Sequence, residues 1–210
     1  MTYSIAIRTL GTNPDVLCRE LNSILRQTIQ PEKVVVYIAK GYERPAFTVG
    51  NEEYVWVKKG MVAQRALRYD EIDSDVVLLL DDSVELADDS AERMLNALEA
   101  NEADCVAADS FCNQGMYVNG KILAAVTNGV FPMRDDGWAF KMRRDGSFSY
   151  NDCPKSNFCL TETFSGPCWM VRKKSLEKMR LQDELWMEKM GFPYGEDAVE
   201  SYKFFLNGYK

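Results

Sequence analysis

The chain contains no histidine. That absence removes histidine-based triads, imidazole metal ligands and the one side chain that ordinarily titrates near neutral pH. Any metal must then sit on oxygen or sulfur, and a catalytic base is expected to be a carboxylate. Paired cysteines are missing too. The six thiols, Cys18, Cys105, Cys112, Cys153, Cys159 and Cys168, form no C-x-x-C, so a structural zinc site has little support. No apolar run approaches the roughly 20 residues of a membrane-spanning helix. The opening Met1-Thr-Tyr-Ser-Ile-Ala-Ile-Arg8 has neither a charged leader nor an apolar export stretch. Positive charge is also short, with 25 Lys and Arg against 32 Asp and Glu, a net charge of −7. A surface of that sign repels phosphate backbones and argues against nucleic acid as a partner. These absences predict a cytoplasmic chain whose reduced thiols serve mainly as small core residues.

What is present is a chain of 210 residues, 46% of them hydrophobic, enough for one domain with a full core. Ser4-Ile-Ala-Ile7, Lys33-Val-Val-Val-Tyr-Ile38, Tyr54-Val-Trp-Val57 and Asp75-Val-Val-Leu-Leu-Leu80 read as strands, and Cys105-Val-Ala-Ala108 as another. Helical spacing is expected over 15–27, with Asn13 or Asp15 as cap, and over 61–69. A further helix is expected to run to about Glu99, capped by Asp88-Asp89-Ser90. Residues 110–165 change character, with five glycines and several aromatics, and predict short strands and functional loops. A strand at 166–172 and helices at 175–180 and 196–207 follow. The alternation of helices with strands lacking period-two polarity predicts an α/β fold. Its central sheet is expected to be mostly parallel, with helices on both faces.

The most apolar strand ends abruptly in Asp81-Asp82-Ser83. In an open parallel sheet, ligands bind beyond the carboxyl ends of the strands, where the strand order reverses. Two adjacent carboxylates there repel each other unless a cation or hydrogen-bond donors intervene. Mg²⁺ or Mn²⁺ meets that need, bridging carboxylates to a substrate phosphate. A solvated polar strand exit is the other reading of the same residues.

Four segments, in order, resemble the GT-A fold nucleotide-sugar glycosyltransferases of the inverting family two. The first comprises Ser4-Ile-Ala-Ile-Arg-Thr9, Leu21-Asn-Ser-Ile-Leu-Arg-Gln-Thr28 and Pro31-Glu-Lys-Val-Val-Val36. They are similar to that family's opening strand, its S-I-L-x-Q-T helix end and its second strand. Lys59-Gly60 through Gln64-Arg65 is similar to its glycine and arginine-bearing helix. Leu78-Leu-Leu-Asp-Asp-Ser-Val-Glu-Leu86 resembles its D-x-D strand end. Phe164-Ser-Gly-Pro-Cys-Trp-Met-Val-Arg172, with Tyr194-Gly-Glu-Asp197 and Gly208-Tyr209, resembles the tail that carries its catalytic base.

The resemblance implies one catalytic domain over 1–210, with a nucleotide-binding half at 1–100 and an acceptor-side half at 101–210. It implies that Thr9 touches the nucleobase and Arg65 the base or ribose. Asp81 would face the ribose, Asp82 would coordinate the cation with Asp81 beside it, and Ser83 occupies the third D-x-D position. Asp197, with Glu196 beside it, would be the general base of an inverting transfer, ionised at a helix N-terminus. Trp169 and Trp138 are candidate acceptor-stacking aromatics, although large aromatics more often fill cores. The implied donor is a UDP- or GDP-sugar, and the acceptor a glycan, a lipid-linked sugar or a protein. A C-terminal acceptor element or peripheral membrane contact is an open expectation, because the chain stops soon after the base helix.

Three positions depart from the family pattern. Ile38-Ala-Lys-Gly41 stands where an acid normally follows the second strand, Ser83 replaces the third aspartate, and Ala66 replaces a frequent asparagine. These departures support an alternative, a catalytically weak or inactive nucleotide-sugar binding domain. Another alternative is a sugar-phosphate nucleotidyltransferase, although Arg8-Thr-Leu-Gly-Thr-Asn13 lacks that family's glycine-rich signature.

Overall fold

The computed structural model describes residues 1–108, 138–142, 144, 148–150, 158–191 and 195–210, with the backbone alone for 148–150. Most of the expected acceptor segment at 110–165, and Tyr194, lie outside the described residues.

Six strands form the central sheet: β1 (Tyr3–Thr9), β2 (Val34–Ala39), β3 (Glu53–Val57), β4 (Val76–Asp81), β5 (Cys105–Ala107) and β8 (Cys168–Arg172). Their order is β3-β2-β1-β4-β8-β5. β1 pairs in parallel with β2 and β4, and β2 with β3, whereas β8 runs antiparallel to both β4 and β5. β6 (Phe140–Met142) and β7 (Phe148–Tyr150) form a separate antiparallel pair.

The sheet is buried on both faces, which is why its strands read as continuous apolar runs. Ile5, Ile7, Leu78 and Leu80 face one side, against Leu17, Leu21 and Ile24 of α1 (Pro14–Leu25) and Leu95 and Leu98 of α3 (Ser90–Ala100). Ala6, Val35, Tyr37, Val77 and Leu79 face the other side. There they meet Val62 of α2 (Met61–Arg65), Leu176 of α4 (Lys173–Met179) and Phe204 of α5 (Glu196–Leu206). Each such side chain contributes about 1.5–3 kcal/mol by leaving water.

Local chemistry sets the helix ends. Asn13 accepts the Val16 N–H at 3.4 Å, and Pro14 supplies a preset φ at the start of α1. α3 starts differently from the sequence expectation. Asp89 occupies the cap position without a side-chain hydrogen bond, and Gln27 accepts the Ala91 N–H at 2.9 Å instead. Thr28 donates to Glu92 at 2.7 Å, so Gln27-Thr28 joins the end of α1 to the first turn of α3. α2 is shorter than expected and stops at Arg65. A 3-10 segment at Leu181–Met190, which no periodicity announces, packs beside it. Its Glu188 accepts the Ala63 N–H at 2.8 Å and holds the first turn of α2.

The chain winds outward from β1 to β2 and β3, then returns to place β4 on the other side of β1. The order therefore reverses between β1 and β4, and beyond the carboxyl ends at such a switch point open α/β sheets bind their ligands.

Candidate functional site

Arg8 and Asp81 are register partners across β1 and β4. Arg8 Nη2 lies 2.8 Å from Asp81 Oδ1 and donates to the Gly166 carbonyl at 2.9 Å. Burial, the largest single influence, would lower the Arg8 pKa, but Asp81, Tyr69 and Glu200 together outweigh it and the net shift is upward. The other Asp81 oxygen, Oδ2, is 2.8 Å from Arg65 Nη2. Arg65 continues outward, pairing through Nη1 with Asp197 and lying 3.7 Å through Nε from Glu196 Oε1. A chain of alternating charge, Arg8–Asp81–Arg65–Asp197, thus crosses from the strand ends to the N-terminus of α5. Gly166 sits at its centre, where a β-carbon would collide with Arg65 Nη1 and Asp197 Oδ1. Any side chain there would have to displace the ends of Arg65 and Asp197.

One helical turn behind Asp197, Glu200 is 3% exposed, with Oε1 unpartnered. Burial raises its pKa to about 7, against the lowering effect of Arg65 and Arg8. Tyr69 donates to the Arg65 carbonyl at 3.1 Å, and burial raises its phenol to about 12.

The opposite face of the strand ends is different. Thr9 is 4% exposed, and its hydroxyl donates to Asp82 Oδ2 while accepting the Gly11 N–H at 2.7 Å. Gln64 donates to the Thr9 carbonyl at 2.8 Å, tying α2 to the end of β1. Beneath them, Glu20 of α1 is 1% exposed, with neither carboxyl oxygen partnered. Burial, then the charges of Asp82 and Asp81, raises its pKa to about 9. The Cys168 thiol nearby is raised to about 12 by burial and stays protonated, as a core thiol should.

The structure brings together Thr9, Arg65, Asp81, Asp82, Glu196 and Asp197. It also shows which partners several of them hold. Thr9 is buried and committed to Asp82, so it does not present a free hydroxyl to a nucleobase. Arg65 is committed to carboxylates on three sides, so a base- or ribose-facing guanidinium is not what this conformation shows. Asp81 stands between two guanidiniums. Ser83 is exposed, and its N–H donates to the Asp81 carbonyl at 2.7 Å. Trp169 leaves the acceptor surface altogether: at 3% exposure it packs in the core, 5.3 Å from Phe164 and 5.8 Å from Phe204 between ring centres. Trp138 is half-buried, edge-on to Phe205 at 6.0 Å, with Lys141 Nζ 5.0 Å from its ring centre.

Sequence reasoning missed Arg8, Glu20 and Glu200 as members of the site. A lone arginine in a strand and glutamates in amphipathic helices carry no local signal. The only hint was positional: Glu20 shares its helix face with Leu17, Leu21 and Ile24.

The donor set at the strand ends is all oxygen, which suits a hard divalent cation. Among the described residues, no group of three acidic or cysteine side chains lies close enough to hold a metal together. A cation here would rest on fewer carboxylates, with Asp82 the one free of guanidinium, and would draw on substrate phosphate for the rest.

The strand order and the one antiparallel strand, β8, define a GT-A-like α/β fold. No family model matches the chain, and no curated protein matches it. Among solved structures it is similar to the 4-diphosphocytidyl-2C-methyl-D-erythritol synthase from Anaerococcus prevotii. That likeness has a TM-score of 0.53 at 15% identity and covers 100% of this chain and 86% of the other. At such identity the likeness is one of fold. Among the described residues, no helix is long and apolar enough to cross a membrane.

Proposed function

We propose that the chain is a cytoplasmic transferase acting on a nucleotide-activated substrate, with residues 1–210 forming one catalytic domain. The nucleotide lodges beyond the ends of β1 and β4, and the transferred group points toward Gly166 and α5. The observation that carries this reading is the convergence of Asp81, Glu196 and Asp197 on Arg65 beside Gly166, at the switch point of the sheet. A divalent cation, Mn²⁺ or Mg²⁺, on Asp82 would supply Lewis acidity to the phosphates when bound. The exposed Lys40, Lys58 and Lys59, beyond the ends of β2 and β3, add positive charge to the same edge of the sheet.

Two transfers share this geometry. Nucleotidyl transfer is favoured by the fold likeness to the erythritol synthase. In that reaction a substrate phosphate attacks the α-phosphorus of a nucleoside triphosphate, and pyrophosphate leaves. Inverting glycosyl transfer is favoured by the carboxylates at α5. There Asp197 takes the proton of an acceptor hydroxyl as the sugar carbon leaves its UDP or GDP. The acceptor is then a glycan, a lipid-linked sugar or a protein, with Trp138 beside the acceptor half.

The test is a substrate panel with Mn²⁺ present. Release of nucleoside diphosphate from a nucleotide-sugar, lost in Asp197→Asn, supports glycosyl transfer. Pyrophosphate release from a nucleoside triphosphate with a sugar phosphate supports nucleotidyl transfer. Binding with neither product supports a nucleotide-sugar binding domain without turnover. Calorimetry that detects no UDP, GDP, TDP or CDP compound overturns the transferase reading.

A further inference from the structure

The two acids at the end of β4 are not equivalent. Asp81 has one guanidinium 2.8 Å from each oxygen, so a cation seated on it would face Arg8 and Arg65 directly. Asp82 has no arginine partner, and among the described residues its side chain takes one hydrogen bond, from Thr9. Thr9 follows the strand parity of Ile5 and Ile7, which pack against α1. The Thr9–Asp82 pair therefore belongs to the α1 side of the sheet, away from the Arg8–Asp81–Arg65–Asp197 chain.

α1 places one acid on that side. Glu20 lies on the buried face of the helix, one residue from Leu21 and one turn from Leu17 and Ile24. It is 1% exposed, both its oxygens lack a partner, and the charges that act on it are Asp82, Asp81 and Arg8. Burying an acid without a partner costs stability and makes sense where a ligand completes it.

We propose that Glu20 and Asp82 together hold a divalent cation on the α1 side of the strand ends, with the Thr9 hydroxyl orienting Asp82. This rests on the transferase reading and deepens it, by moving the metal off the Asp81-Asp82 pair. Two carboxylates from different elements, completed by water and substrate phosphate, are a familiar hard-cation set. The Arg8–Asp81–Arg65–Asp197 chain then keeps a separate task, fixing the acceptor-side acids. The division explains why one acid of the pair is saturated with arginine and its neighbour is not.

Mn²⁺ alone is the probe, its free concentration followed by electron paramagnetic resonance, with and without CDP or UDP. Glu20→Gln and Asp82→Asn are each expected to weaken Mn²⁺ binding at least tenfold. Glu20→Asp, which keeps the acid but withdraws it by one methylene, is expected to weaken it less, and gives the reading if Glu20→Gln fails to fold. Unchanged Mn²⁺ affinity in the Glu20 variants, with loss in Asp82→Asn, overturns this inference and leaves the transferase reading intact. Loss on Asp81→Asn alone also overturns it. A wild-type chain that binds neither Mn²⁺ nor nucleotide overturns both.

Discussion

Arg65, the last residue of α2, ion-pairs with Asp197 in the first turn of α5. Its other nitrogens reach Asp81 on β4 and Glu196, so one guanidinium joins three elements of the fold. Removing it leaves carboxylates facing one another in a half-buried site, where breaking an ion pair from one side is costly. Arg65→Met is expected to lose about 3 kcal/mol in urea unfolding. A loss under about 0.5 kcal/mol, the range of an exposed pair, would show that the guanidinium is not structurally engaged.

Gly166 gives a second, separable prediction. Its carbonyl accepts from Arg8, and the space where a β-carbon would stand is filled by Arg65 Nη1 and Asp197 Oδ1. Gly166→Ala must push the guanidinium and the carboxylate apart. Nucleotide binding or turnover is expected to fall at least tenfold, because about 1 Å of misplacement is enough at a reacting centre. Far-ultraviolet circular dichroism should stay that of the wild type. Activity within twofold of wild type would show that the Arg65–Asp197 contact is not used.

The sequence makes the scaffold of this site legible and hides its wiring. The run Val76–Leu80, ending in two aspartates, declares a buried strand with a polar exit, and Asp81 and Asp82 stand where that pattern puts them. Gln27-Thr28 marks a helix end, and its side chains start the next helix on that side of the sheet. What is not legible comes from pairing across elements distant in sequence. Arg8 reads as a polar residue on a strand until β4 brings Asp81 into register with it. Glu20 reads as one polar side chain among Arg19, Asn22 and Arg26 on a helix surface. Only the rotation of α1 about its own axis turns it into the core. Asp89 shows the converse: a sequence cap displaced because Gln27, a distant partner, reaches the same N–H first.

Trp169 separates a core role from a ligand role. It lies opposite Leu79 on one neighbouring strand and Ala107 on the other, and it packs on Phe164 and Phe204. Trp169→Ala is expected to cost about 3–5 kcal/mol, the range for deleting a large buried aromatic. Acceptor affinity, measured on the fraction that remains folded, should stay within threefold. An acceptor-stacking tryptophan would give the reverse, a small loss of stability and a large loss of affinity.

Glu20 sets a pH dependence whose sign follows from its surroundings. Burial and the charges of Asp82 and Asp81 raise its pKa from 4.5 to about 9. Between those values the folded chain holds a proton that the unfolded chain has released. The stability this group contributes is therefore fully present below about 4.5 and is lost as the pH climbs toward 9. Glu20→Gln has no proton to lose. Without divalent cation, its stability relative to wild type should rise with pH by at most about 1.4 kcal/mol per unit, levelling off near pH 9. Glu200, raised to about 7, contributes to both chains alike and cancels in the difference. Urea midpoints at pH 5, 7 and 9 measure it, and parallel curves for the two proteins would mean that Glu20 is ionised in the folded state. Adding Mn²⁺ should then stabilise the wild type more than the variant, which keeps Asp82 but lacks the Glu20 carboxylate.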